Sequence, residues 1–171
     1  MKFTDAYKEI PVYEMENAQK LIDRDWMLIT ASDGEKTNAM TASWAGLGEL
    51  WHEHVAFIFI RPQRYTFEFT EKTDMISLAF FDEEYRNALT LCGRKSGRDS
   101  DKLTEAGLTV GKIAGVPIIE EARMIVIGRK LYADFIKEEC FTDRSMLKYY
   151  ETKDYHRVYV LAIEKVLVKD N

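Results

Sequence analysis

The longest alternations of apolar and polar positions lie late in the chain. "RMIVIGRKLYADFI" (123–136) and "RVYVLAIEKVLVK" (157–169) repeat with a period of two, which predicts two long β-strands. Three shorter runs, "WMLITAS" (26–32), "HVAFIFI" (54–60) and "MISLAFF" (75–81), are rich in β-branched and aromatic residues and predict core strands. The first ends in the turn "DGEK" around Gly34. "TNAMTASWAGL" (37–47) follows as one further strand, so these two are expected to pair as an antiparallel hairpin. Pro62 stops "HVAFIFI".

Helical patterns fill the gaps. "AQKLIDR" places Ala18, Leu21 and Ile22 on one face, and "YTFEFTEKT" reads as a short helix. Asp82 is placed to cap a helix through "EEYRNALTL", and Asp99, Ser100 or Asp101 to cap one in "DSDKLTEA". "TDRSMLKYY" predicts a helix capped by Thr142, set in a connection that is either a lid or a docking helix. Strands at short intervals with small helices between them imply a barrel with helical decoration. No strand is followed by GxGxxG and no βαβ repeat is evident, which excludes a Rossmann dinucleotide fold. Neither a low-complexity linker nor an internal repeat divides residues 1–171, so one domain is expected.

Charge and composition narrow the partners. A formal net charge of −5 argues against nonspecific nucleic-acid binding. No apolar run approaches the roughly 20 residues of a membrane-spanning helix, and "MKFTDAYKEIPVYEME" has no apolar core of a secretion signal. Two cysteines, Cys92 and Cys140, are too few for a disulfide framework, so a cytoplasmic setting is expected.

Within this acidic chain, "LCGRKSGRDSDKLTEAGL" (91–108) gathers Arg94, Lys95, Arg98 and Lys102 around Gly93, Ser96 and Gly97. The glycine spacing is not that of a P-loop. Two readings stand: a solvated loop whose charges pair locally, and an anion site built from backbone N–H groups, hydroxyls and cations. "RPQRYT" adds Arg61, Arg64, Tyr65 and Thr66 between a strand end and a helix start, a combination of guanidinium and hydroxyl donors that suits phosphate. In "NAMTASW", small and polar residues alternate beside Trp44, so a flat ligand can approach the backbone against an aromatic wall. Alone, that segment also reads as a half-buried strand.

Other chemistry-bearing residues carry less. His52 and His54 share a strand face, but no HExxH spacing accompanies them, and surface histidines explain them better than a metal site. Cys92 adjoins cations that lower a thiol pKa, yet a lone buried cysteine is the commoner case. Phe135, Phe141, Tyr149, Tyr150 and Tyr155 read as core or dimer contact, with one of them a candidate to flank a flat cofactor.

"NAMTASW", "RPQRYT" and "CGRKSGRDSDK" stand in the order and approximate spacing of a known family. From about Trp26 onward the chain resembles the flavin reductase-like proteins, which include flavoredoxin. The resemblance implies a mainly β fold with short helices, an FMN-binding split β-barrel of Greek-key type. It also implies a homodimer with FMN near the subunit interface. It assigns Asn38, Met40, Thr41, Ala42, Ser43 and Trp44 to the isoalloxazine, largely through backbone donors to its pyrimidine edge. Arg61, Arg64, Tyr65 and Thr66 match the phosphate segment, Ser96 and Gly97 the family loop, and Lys102 the lysine that reaches toward the flavin. A cation there favours the reduced flavin. His156 stands where some flavin reductases carry a histidine near the nicotinamide, although "DYHRVYVLAIEKV" matches loosely.

The implied activity is electron transfer from NADH or NADPH through bound FMN to free flavin or another small-molecule or redox-protein acceptor. The alternative is a flavoredoxin-like carrier that does not use pyridine nucleotide. Because the flavin carries the hydride chemistry, no side chain is expected to act as a catalytic group.

Overall fold

The structure, a computed structural model, describes residues 6–170. Its strands are β1 (Tyr7–Ile10), β2 (Met27–Ser32), β3 (Thr37–Ala42), β4 (Ala45–Leu50), β5 (Glu53–Ile60), β6 (Met75–Phe80), β7 (Val110–Ile113), β8 (Val116–Ile119), β9 (Met124–Phe135) and β10 (Arg157–Lys169). Three short helices accompany them: α1 (Tyr65–Thr70), α2 (Arg86–Arg94) and α3 (Lys102–Glu105). No helix among the described residues is long and apolar enough to cross a membrane.

The main sheet runs β3-β2-β6-β9-β10-β5-β4, antiparallel throughout. β10 is long enough to hold two neighbours on one side. Its first half pairs with β5 and its last residues pair with β1, from Tyr7↔Lys169 to Ile10↔Val166. The sheet curls into a split β-barrel, mainly β with short helices, and does not close. β9 and β10 bend together through register shifts at Val160/Leu161 and Ile163/Lys165. Gly128 sits at that crowded point, where an added Cβ would lie 2.9 Å from Leu161 Cβ. Only glycine allows the strands to come this close.

Alternation decides what each face buries. Met27, Ile29 and Ala31 of β2 point into the barrel with Met40, Ile58, Leu78, Phe80, Val126 and Leu161. Leu28 points the other way, into a second core with Leu89, Cys92, Leu103, Ile118 and Ile125, beneath α2, α3 and the β7–β8 ribbon. A strand covered on both faces has no polar alternation, which is why "WMLITAS" reads as a continuous apolar run.

The largest departure from the sequence pattern is the fate of "TNAMTASWAGL". It is not one strand. β3 ends at Ala42, the chain turns through Ser43 and Trp44, and β4 joins the opposite edge of the sheet, beside β5. The β2–β3 hairpin itself is present, from Met27↔Ala42 to Ser32↔Thr37. Two caps also differ. Asp82 makes no side-chain capping hydrogen bond and precedes a 3-10 turn, Glu83–Tyr85, that leads into α2. In the second case the cap is Asp143, which accepts from Ser145 N ahead of the 3-10 segment Arg144–Tyr149; Thr142 stands one residue too early. Asp101 caps α3 by accepting from Thr104 N. Lys20–Asp25 is π-helical rather than α-helical, with Leu21 buried.

Candidate functional site

β3 and β4 are consecutive in the chain yet occupy the two free edges of the open sheet, so Ser43 and Trp44 span the split. Along the β3 edge, alternate backbone N–H and C=O groups have no ladder partner. Beside this edge lies a cavity of about 190 Å³, walled by Met40, Thr41, Ala42, Ser43 and Trp44 on one side and by Phe59, Arg61, Arg64 and His156 on the other. A second cavity of about 190 Å³ continues from it, between the Gln63–Thr66 turn and the end of α2 with Gly93, Ser96 and Lys102. Arg64 lines both, so the two lie side by side along one cleft with its guanidinium between them.

Arg64 is half-buried, and its guanidinium makes no hydrogen bond or ion pair among the described residues. Burial pushes its pKa below the usual guanidinium value. Lys102 is only 3% exposed. Its Nζ donates to the carbonyls of Cys92 (2.9 Å) and Lys95 (3.1 Å), closing the C-terminal end of α2, where a cation is favoured by the helix dipole. An ammonium has three donors, so one remains. Burial, with Arg64 adding repulsion, lowers the Lys102 pKa to about 8. No carboxylate among the described residues offsets either group. The end of the cleft where they meet therefore carries uncompensated positive charge.

Two of the other loop cations are already spent. Lys95 pairs with Glu105. Arg98 pairs with Glu68, lies over the Tyr65 ring at 4.8 Å and donates to Gln63 O. Arg94 is exposed at the cleft mouth. Cys92 is buried, and burial pushes its thiol pKa up despite Lys102 nearby. This agrees with the reading of Cys92 as a lone buried cysteine rather than a cation-activated thiol.

Asn38 does not reach this cleft. Its Nδ2 donates to the buried Thr66 Oγ1 (2.8 Å), and its carbonyl side packs on Gly97, where an added Cβ would lie 2.1 Å from Asn38 Oδ1. Asn38 and Gly97 line a neighbouring cleft of about 970 Å³, which shares Tyr65 and Lys102 with the second cavity. Thr41 Oγ1 donates to Leu89 O and so ties β3 to α2. Ser96 Oγ accepts from Arg98 N and holds the loop turn.

Arg61 lies at the opposite end and is engaged. It pairs with Asp154 (2.6 Å), donates to Tyr149 O (2.9 Å) and lies over the Tyr150 ring at 5.1 Å. Burial opposes charge on Asp154, but hydrogen bonds from Arg61 and Gln63 outweigh it and hold the pKa at about 2. His156 is 6% exposed, its Nδ1 within 2.8 Å of Tyr150 Oη, and its ring is 5.3 Å from that of Trp44. Burial, helped by Arg61, lowers its pKa to about 4, so it is neutral near pH 7. Phe59 and Asp154 were missed by motif reasoning, whereas Tyr150 was among the aromatic residues read as core or dimer contact or as a candidate flank for a flat cofactor. Phe59 carries an ordinary core-strand signal, and nothing in the sequence links Asp154 to Arg61.

The described residues thus join Met40–Trp44, the Arg61–Thr66 turn, Ser96 and Lys102 around one cleft. Asn38 and Gly97 support it from behind. Known proteins agree with the architecture. An FMN-binding domain of a flavin reductases-like enzyme from Shewanella baltica OS155 superposes with a TM-score of 0.67 at 14% identity, covering 95% of this chain and 77% of that one. Flavoredoxin of Desulfovibrio vulgaris (Miyazaki F) gives 0.67 at 17%, covering 94% and 77%. Flavoredoxin from Methanosarcina acetivorans gives 0.64 at 17%, covering 83% and 67%. At these identities the likeness is one of fold. No curated protein matches the sequence. The profile of the flavin reductase like domain, however, matches residues 21–171, and the chain belongs to that family.

Proposed function

We propose that the cleft at the barrel split holds FMN and that the protein passes electrons from NADH or NADPH through it to free flavin or another small-molecule or redox-protein acceptor. The observation that carries this is the pair Arg64 and Lys102, one half-buried and one buried cation with no counter-anion among the described residues, at the end of a cleft walled by small residues and Trp44. A terminal phosphate supplies the missing charge, with Thr66 and Ser96 hydroxyls beside it. Met40–Trp44 along the free β3 edge then offers backbone donors to a flat polar ring. The family and the FMN-binding neighbour support a flavin as that ligand.

When bound, FMN supplies the redox chemistry. The chain's own residues bind and orient. Arg64 and Lys102 fix the anionic end, while Lys102 also holds the loop to α2. Trp44 and His156 bound the opposite end with an aromatic, uncharged surface, and the Arg61–Asp154 pair braces it. The protein acts as a homodimer in a reducing cytoplasm; sedimentation of the FMN-loaded protein reads the first. The family's flavoredoxin neighbours favour a second reading, a carrier that exchanges electrons without pyridine nucleotide.

Anaerobic absorbance separates them. FMN bands that shift on binding and bleach with NADH or NADPH support the reductase. Bleaching only with dithionite favours the carrier. Unperturbed FMN bands, with no retained flavin after gel filtration, sink both.

A further inference from the structure

A separate cavity of about 740 Å³ opens on the far side of Trp44. The segment between β9 and β10 forms its floor, through the 3-10 turns Glu138–Cys140 and Arg144–Tyr149. Its wall is aromatic. Trp44 meets Tyr149 edge-to-face at 5.5 Å and 82°, and Phe141 packs on Tyr150 at 5.9 Å. Phe135 and Met146 complete it, at 39% and 38% exposure.

Large aromatic and thioether side chains left open to water in a concave arrangement mark a binding site rather than unused core. The charges at the rim select the ligand. Asp134 and Lys137 are the ionised groups lining the cavity, and they pair with each other at 2.9 Å. The Tyr150 hydroxyl is committed to His156. A charged ligand finds no free counter-charge here, whereas a flat apolar one finds stacking surfaces. Trp44 belongs to both cavities, so a molecule bound here lies against the same ring that closes the cofactor cleft.

We propose that this aromatic cavity binds an uncharged, planar, conjugated molecule, and that this is the substrate class served by the adjoining cleft. The binding claim stands on the cavity alone. Its meaning as a substrate site rests on the flavin reading.

The experiment is calorimetric titration of the full chain, free of FMN, with 1-acetonaphthone, an uncharged conjugated ketone. One molecule bound per chain is expected. Met146→Glu places a charge on an exposed cavity wall and should weaken binding at least about tenfold, whereas Met146→Leu should stay within about twofold. FMN titrated into the same variants should bind as it does to the unsubstituted protein. FMN failing to bind the unsubstituted protein while the ketone binds would sink the flavin reading and leave this site standing. Absence of ketone binding, or equal binding by Met146→Glu, would overturn the proposal. So would a dimer that Met146→Glu converts to monomer, because the cavity would then be a contact between copies of the chain.

Discussion

Arg61 and Arg64 stand three residues apart in the turn that follows β5, and the fold puts them in opposite electrostatic states. Arg61 is neutralised by Asp154 and tied to the Tyr149 carbonyl, at an end of the cleft otherwise closed by neutral His156 and Trp44. Arg64 has no hydrogen-bond or ion-pair partner among the described residues and shares its end with Lys102. A partly buried ion pair already balances its charge, and removing one member leaves the other uncompensated. Two desolvated cations without an anion leave theirs unbalanced until a ligand offsets it. The contrast supports placing the proposed phosphate at the Arg64–Lys102 end of the cleft without reference to any relative.

The largest expected effect follows from it. Arg64→Ala should weaken FMN binding about a hundredfold, which corresponds to about 2.7 kcal/mol for lost charge-assisted hydrogen bonds. Its unfolding free energy should change by less than about 0.5 kcal/mol, because no internal interaction is lost. Fluorescence titration of FMN and urea denaturation read the two quantities. A destabilised variant with unchanged affinity would reverse the assignment of the two ends.

Asp154→Ala should show the opposite signature. Stability should fall by about 1–2 kcal/mol, allowing for screening at this partly accessible pair, with FMN affinity within about threefold. A clear gain in affinity would instead identify Arg61 as a phosphate ligand restrained by Asp154. The pH dependence sharpens this. The folded pKa of about 2 lies below the ordinary aspartate value of 3.8, so the contribution is present above about pH 4 and disappears as pH falls toward 2. Acid unfolding of Asp154→Asn should be flatter across that window.

The sequence made parts of this contrast visible and hid others for identifiable reasons. β9 and β10 were legible by their length and their β-branched and aromatic content, although residues 124–128 and 159–162 are buried on both faces and do not alternate. β2 and β6 were legible because strands packed on both faces are continuously apolar. The β3–β4 break was hidden, since "ASWA" has neither glycine nor proline and small residues suit a strand as well as a corner. β8 was hidden by Pro117, which weakens a strand signal, although here the residue sits in a two-stranded ribbon. The cleft residues came to light as motifs because most lie in three short segments. The state of each charge did not, because Asp154 is distant in sequence from Arg61 and pairing is a property of the fold.

Lys102 supplies a smaller, titratable effect. Its folded pKa of about 8 lies below the ordinary lysine value of 10.5. For the free protein, the unfolded chain binds the additional proton between those values, so this group makes stability rise with pH from about 8 to 10.5. A bound phosphate favours the charged form and returns the pKa upward. FMN affinity should therefore decrease as pH rises through about 8, by up to roughly tenfold, levelling off above the bound-state pKa. Lys102→Met should lack the inflection. Because it also opens the end of α2, its thermal stability is measured alongside.

The smallest effect is expected at Arg98, which in sequence is indistinguishable from Lys102 as a cation of the same loop. Its guanidinium faces Glu68 and the Tyr65 ring, with both partners of the ion pair substantially open to water at 42% and 49% side-chain exposure. Exposed pairs contribute about 0.2–1 kcal/mol and are screened by salt. Arg98→Gln should accordingly lower stability by less than about 1 kcal/mol and alter FMN affinity less than about threefold, with the difference vanishing in high salt. A loss comparable to that of Arg64→Ala would mean that Arg98 exchanges Glu68 for the ligand's phosphate. The uncompensated charge would then extend along the loop, and Arg64 with Lys102 would be only its buried portion.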